Sequence, residues 1–243
     1  MSSYEWVRFA AALIVQLMVM WAMLRGTWSR YPLVFGYVLV SFFGTVTQAS
    51  FQYYFGRQSV AYARAYWLAD LAGAFLVLLV IIHLIRRAMT THPWRDHVYW
   101  GLTLGMALTG VASVLFVGDY SRGFRLGRLL TELSRNYYFS AVLLNAILWI
   151  TLMRVQHPDR QVYLFSSGLG LKLTGAAIAH AVRLTTSSGY WFAANQILFY
   201  SHLASLYVLY LAVRSFAAGA PAAGAAVGVS APPSSLEFPA KDH

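Results

Sequence analysis

The chain has 243 residues, of which 59% are hydrophobic and only 11% charged, with a formal net charge of +10. Water-soluble domains carry far more charge than this, and the run from Val98 to Val117 has no acidic or basic side chain at all, so a soluble fold is excluded. The positive charge stands as single or paired arginines at the ends of apolar runs. That is the pattern of membrane-edge anchoring, and it points to membrane lipids as partner, not to nucleic acid. There are no cysteines, which removes disulfides, thiolate nucleophiles, cysteine zinc sites and iron–sulfur clusters.

One crossing of a hydrocarbon core takes about 20 apolar residues. On that measure the sequence predicts an all-α polytopic membrane bundle of about seven transmembrane helices, near residues 6–24, 32–54, 62–85, 98–117, 128–152, 162–183 and 190–213. The first begins with Glu5 and Arg8 and lacks a small-residue cleavage site after it, so it reads as a retained helix. Pro32 suits the first turn of the second helix, and the remaining breaks fall at Gly56-Arg57, His92-Pro93, Gly118-Asp119, His157-Pro158-Asp159 and Ser187-Ser188-Gly189. Short loops make successive helices antiparallel. The predicted domains are a transmembrane unit over residues 1–216 and, over 217–243, a disordered tail rich in Ala, Gly, Pro and Ser.

Two stretches echo each other. Leu24-Arg25, Arg30 and Leu33-Val34-Phe35 are matched by Met153-Arg154, Arg160 and Tyr163-Leu164-Phe165; Tyr66-Trp67-Leu68-Ala69 is matched by Tyr190-Trp191-Phe192-Ala193. These offsets skip four crossings, and would give two parallel three-helix repeats joined by a fourth helix. The arginine count on the two sides of the membrane is nearly balanced; with Arg8, Arg128 and Arg183 assigned to helices it favours a multi-pass inner-membrane protein with its N-terminus outside and its C-terminus cytoplasmic.

Ionisable and amide groups cost about 2.5–3.5 kcal/mol each inside a bilayer, so they normally face a bundle interior. Gln48, Gln52, Asp70, Glu132, Arg135, His180, Arg183, Asn195 and Gln196 all fall in the half nearer the N-terminal side, and Lys172 sits near the middle of the sixth helix. On that helix Gly168, Lys172, Gly175, Ala176, Ala179 and Arg183 share one small, cationic face. One reading is a polar cup, open toward the N-terminal side, in which Asp70, Glu132, Arg135, Lys172, His180, Arg183, Asn195 and Gln196 hold an anionic or zwitterionic small ligand. The other is a structural network, with Glu132 paired to Arg128 or Arg135 along its own helix and Asp70 neutralising Lys172 or Arg135.

No chemistry-specific motif is present. Serine, cysteine and zinc hydrolase signatures, a phosphate-binding glycine loop and a dinucleotide fingerprint are all missing, so no catalytic residue, metal ligand or cofactor is assigned. Asp70 with Glu132 is the one plausible acid pair, and carboxylates among arginines read first as ion-paired. His83, His180 and His202 lie at different depths, which argues against a shared metal or haem. A retinal Schiff base would need a lysine on the last helix, which has none.

Arg30-Tyr31-Pro32 with Phe35 and Tyr37, Tyr66-Trp67 ahead of an acid, Glu132 with Arg135, and Leu203 to Tyr210 resemble motifs of a group of uncharacterised bacterial seven-helix membrane proteins abundant in acidobacteria. The likeness implies a shared fold and carries no activity; where that group has Glu in the third helix, this chain has Asp70. The functional expectation is a sensory or small-ligand-binding seven-helix module that acts through a membrane partner or a homo-oligomer. A small-solute transporter and a structural, lipid-binding subunit are the alternatives.

Overall fold

The computed structural model describes residues 3–89, 92–116, 126–154, 159–185 and 190–219. The described residues form seven α-helices: α1 Ser3–Leu24, α2 Pro32–Phe55, α3 Val60–Ala88, α4 Arg95–Phe116, α5 Leu126–Arg154, α6 Arg160–Thr185 and α7 Trp191–Gly219. Each is long and apolar enough to cross a membrane. The expected tail begins inside the last turns of α7; residues 220–243 lie outside the described residues, as do the His157-Pro158, Gly118-Asp119 and Ser187-Ser188-Gly189 breaks.

Local chemistry sets the ends. Pro32 occupies the first turn of α2, where its missing N–H costs nothing, and Gly56 closes that helix at φ +77°, a conformation that disfavours any side chain. Ser59 caps α3 by accepting from the Tyr62 N–H at 3.1 Å. Asp159 does the same for α6, its Oδ1 accepting from the Gln161 N–H at 2.9 Å.

Six helices form a closed ring in the order α1, α2, α3, α5, α6, α7, with α7 returning to α1. α4 stands outside, packed on α3 and α5 alone. Trp100, Leu104, Leu108, Val111 and Leu115 form an exposed stripe along it at helical spacing, the face it shows to lipid. An Asn136 to Ser113 hydrogen bond of 2.8 Å ties it to α5. The neighbours α1–α2 and α2–α3 of the first triplet have counterparts in α5–α6 and α6–α7, and the two junctions α3–α5 and α7–α1 correspond as well. The additional contact of α3 with α6 has no counterpart, so α3 is the hub of the bundle.

The two membrane halves differ. Toward the C-terminal side the ring is filled: Val77, Leu78, Val80, Ile81, Ile82, Leu84 and Ile85 of α3 are all buried, together with Met23, Tyr31, Tyr37, Leu148, Phe165, Leu169 and Leu209. Small residues close α6 on α7, where a Cβ at Gly168 would lie 3.2 Å from the Ser205 carbonyl oxygen and one at Gly175 would collide with the Ser201 side chain. At the membrane edge below this core, Asp159 gathers three partners: Arg30 at 3.2 Å, Arg87 at 3.9 Å and the Tyr31 hydroxyl, which donates to it at 3.1 Å. Toward the N-terminal side the ring is hollow.

Candidate functional site

The hollow is a cavity of about 580 Å³ to which all six ring helices contribute. Its mouth carries Glu5 and Arg8 of α1, Gln52 of α2, Arg57 from the turn after α2, and Tyr62 of α3. Asn195 lies level with Arg8, and deeper are Gln48, Tyr66, Asp70 and Phe199; Tyr138, His202 and Lys172 reach the cavity from α5, α7 and α6. Asp70 is ten residues into α3 and Lys172 twelve into α6, so each stands about 15–18 Å from its helix start, near mid-membrane.

Helical periodicity explains the lining. Gln48 and Gln52 of α2, and Tyr62, Tyr66, Asp70 and Gly73 of α3, recur at three- and four-residue steps, so each helix shows the cavity one polar stripe. Gln16 binds the ring at the same level, its amide nitrogen lying 3.2 Å from the Thr45 hydroxyl and 3.3 Å from His202 Nε2.

Charge is distributed unevenly. Glu5 pairs with Arg57 at 3.5 Å. Asp70 accepts a hydrogen bond from the Tyr138 hydroxyl at 3.1 Å instead of neutralising a cation. Lys172 donates to the Tyr37 hydroxyl at 2.7 Å and lies 4.7 Å from that ring's centre. Arg8 stacks over Phe199 at 4.4 Å and donates to the Asn195 carbonyl at 3.4 Å, with its Nε buried and unbonded. Among the described residues neither Lys172 nor Arg8 has a carboxylate within 4 Å. Other groups are uncommitted among the described residues: Gln48 and Gln52 make no side-chain hydrogen bond there, and the buried Nδ1 of His202 has no partner.

The expected site residues divide. Asp70, Lys172 and Asn195 meet in the cavity. Gln196 lies beside it on α7 and accepts from the Tyr4 hydroxyl at 2.9 Å. Glu132 and Arg135 form an ion pair with each other one turn apart on α5, and neither lines the cavity. The side chains of His180 and Arg183 lie outside the described residues. Sequence reasoning left out Glu5, Arg8, Tyr62, Tyr66, Tyr138 and His202; the signal for the tyrosines was their place on the same stripe as Asp70, or one turn beyond Arg135.

What the cavity can do chemically follows from its groups. Beside the Glu5–Arg57 pair, Lys172 and Arg8, several amides and the Asp70 carboxylate supply donors in excess, which suits an anionic or zwitterionic solute carrying hydrogen-bond acceptors. Among the described residues no three His, Asp or Glu side chains converge as metal ligands would.

Comparison with known proteins returns no match. No family model, no curated protein and no solved structure corresponds to the chain. It is a polytopic membrane protein of seven spans, and the resemblance to the acidobacterial group rests on its short motifs alone.

Proposed function

We propose that the protein is a ligand-binding membrane module, a sensor that takes an anionic or zwitterionic small molecule into the six-helix cavity and passes the event to a membrane partner or a second copy. The single observation that carries this reading is Lys172: a cation near mid-membrane that faces the cavity with no carboxylate against it among the described residues. An uncompensated charge is costly in a bilayer interior and is relieved by an anion. The filled half of the ring toward the C-terminal side supports a one-sided cup over a transport path, since a path needs polar lining on both sides.

The test is Lys172→Met followed by native mass spectrometry and thermal unfolding. Retention of small anions is expected to fall about tenfold or more, the usual worth of one charge-assisted contact. Stability of the empty protein is expected to change little, because removing a desolvated charge offsets the loss of its bond to Tyr37. Lost stability with unchanged anion retention would return Lys172 to a structural role.

In this reading the cavity opens on the outer face of the inner membrane and the C-terminus is cytoplasmic. The absence of cysteine makes that easy to check. Gln58→Cys, in the exposed turn at the mouth, is expected to react with a membrane-impermeant maleimide in intact cells. Trp94→Cys, 62% exposed at the opposite edge, is expected to react only after lysis. The reverse pattern would place the mouth in the cytoplasm.

A further inference from the structure

A second hollow lies on the outside of the same wall. Between α2 and α3, on the face turned to lipid, an apolar groove of about 540 Å³ is lined by Val40, Phe43, Phe51, Ala61, Ala65 and Leu68, with Arg64 among its residues. Phe43 and Leu68 are each 57% exposed, and Arg64 is exposed one turn inside the N-terminal end of α3. From Val40 to Phe51 the groove follows α2 for about 16 Å.

Groove and cavity are separate hollows with a common wall. Val40, Gly44 and Ala69 line both, and a Cβ on Gly44 would come within 3.3 Å of the Ala69 Cβ, so α2 and α3 touch there across small residues and the wall is one residue thick, to be parted by a chain that crosses it. Elsewhere along the seam consecutive residues face opposite ways. Thr47, Phe51, Ala61 and Ala65 line the groove, while their neighbours Gln48, Gln52, Tyr62 and Tyr66 line the cavity. The α2–α3 seam thus sets an apolar, lipid-facing trough directly against a polar chamber that holds unmatched cations.

We infer that the ligand is a single-chain anionic amphiphile of the lysophospholipid class, its phosphate headgroup in the cavity with Lys172 and Arg8 and its acyl chain across the seam in the α2–α3 groove. This rests on the ligand-binding reading of the cavity and adds the ligand's class and its route, sideways from the membrane. Three cations against two carboxylates leave the chamber one positive charge in excess, which matches a monoanionic phosphodiester or singly ionised phosphate. Gln48 and Gln52 offer free amides to glycerol oxygens. Arg64, exposed close to the interface, is placed to draw an anionic headgroup toward the seam.

The experiment compares two probes with the same headgroup, glycerol 3-phosphate and its monoacyl ester bearing a diazirine on the chain, against the full chain in phosphatidylcholine nanodiscs. The acyl ester is expected to bind about 100-fold more tightly, because its chain holds it in the bilayer beside the seam and raises its local concentration there. Photocrosslinks are expected to concentrate on Phe43, Phe51 and Leu68. Ala65→Trp, or Thr47→Phe as a second filling of the groove, is expected to abolish those crosslinks and the acyl advantage while glycerol 3-phosphate binds as before; Lys172→Met weakens both probes. Crosslinks spread evenly over the lipid-facing helices, with glycerol 3-phosphate still bound, would overturn the amphiphile and leave the ligand-binding reading standing. Binding of neither probe to the unaltered protein would overturn the lysophospholipid class, and retention of other small anions by that protein but not by Lys172→Met would show that the cavity reading survives it.

Discussion

Asp159→Ala is expected to lower stability by roughly 3 kcal/mol, the sum of a lost helix cap at about 1 kcal/mol and a buried hydroxyl left without its acceptor at about 1–3 kcal/mol. Both contributions come from one carboxylate. Its Oδ1 holds the first turn of α6 through the Gln161 N–H, and its Oδ2 takes the Tyr31 hydroxyl at 3.1 Å and Arg30 at 3.2 Å. Tyr31 is fully buried, with its ring 4.7 Å from Phe165 and the Arg87 guanidinium stacked 4.2 Å above it, so the hydroxyl cannot turn to water. The ion pairs add less, because Arg30 and Asp159 are 41% and 33% exposed. Asp159→Asn keeps one acceptor oxygen, enough for the cap with the Tyr31 hydroxyl facing an amide N–H instead, and is expected to cost about 1–2 kcal/mol, less than alanine. Unfolding by detergent titration measures both variants, and an alanine variant as stable as the asparagine one would remove the capping argument.

The same cluster fixes a pH response. Burial, reinforced by the Asp159 carboxylate, pushes the Tyr31 hydroxyl from the ordinary 10 up to about 12. A group whose folded-state value is raised stabilises the fold fully below its unfolded value and loses that contribution as pH climbs through the folded one. The α1–α2 junction is therefore at full strength up to pH 10 and weakens between 10 and about 12.

Gly175→Ala is expected to cost about 2–3 kcal/mol, because overpacking a tight helix contact forces backbone to move. The obstacle is not the flexible end of a long side chain. A methyl at Gly175 meets both Cβ and Oγ of Ser201, on the most extensive helix interface in the protein. Removing the obstacle gives the check: Ser201→Gly in the Gly175→Ala background is expected to restore most of the loss, and no recovery in the double variant would show that the cost arises elsewhere. At Gly44 the neighbouring Ala69 Cβ is 3.3 Å away, so alanine there should be tolerated far better.

Seven spans were legible because apolar runs of about 20 residues have few other uses. Their ends were less so. α3 carries Arg86 and Arg87 in its last turn and α5 carries Arg154, so spans ended ahead of those arginines, at 85 and 152, stop three and two residues short. The candidate site was partly legible, through the cost of burying Asp70, Lys172 and Asn195. Depth alone could not separate Glu132 and Arg135 from them: these lie at a suitable depth but satisfy each other along one helix, the alternative that their three-residue spacing also allowed. Tyr66 and Tyr138 escaped because tyrosine is equally at home in a core, at an interface or in a cavity wall, and Arg8 because an arginine near a helix start resembles an anchor.

The return of α7 to α1 has a consequence for how the protein is made. Tyr4 bonds to Gln196, Arg8 to the Asn195 carbonyl and Gln16 to His202, pairs separated by 192, 187 and 186 residues. The chamber therefore does not exist while six helices have been synthesised. Until the seventh arrives, Arg8 and Gln16 on the first helix lack their partners across the ring, and the chain holds polar groups in the bilayer for nearly the whole of translation. Contacts of such sequence separation form late, so ring closure waits for α7 to be made. A chain truncated ahead of α7 would still carry every described membrane span except the last, and would lack the wall that closes the chamber.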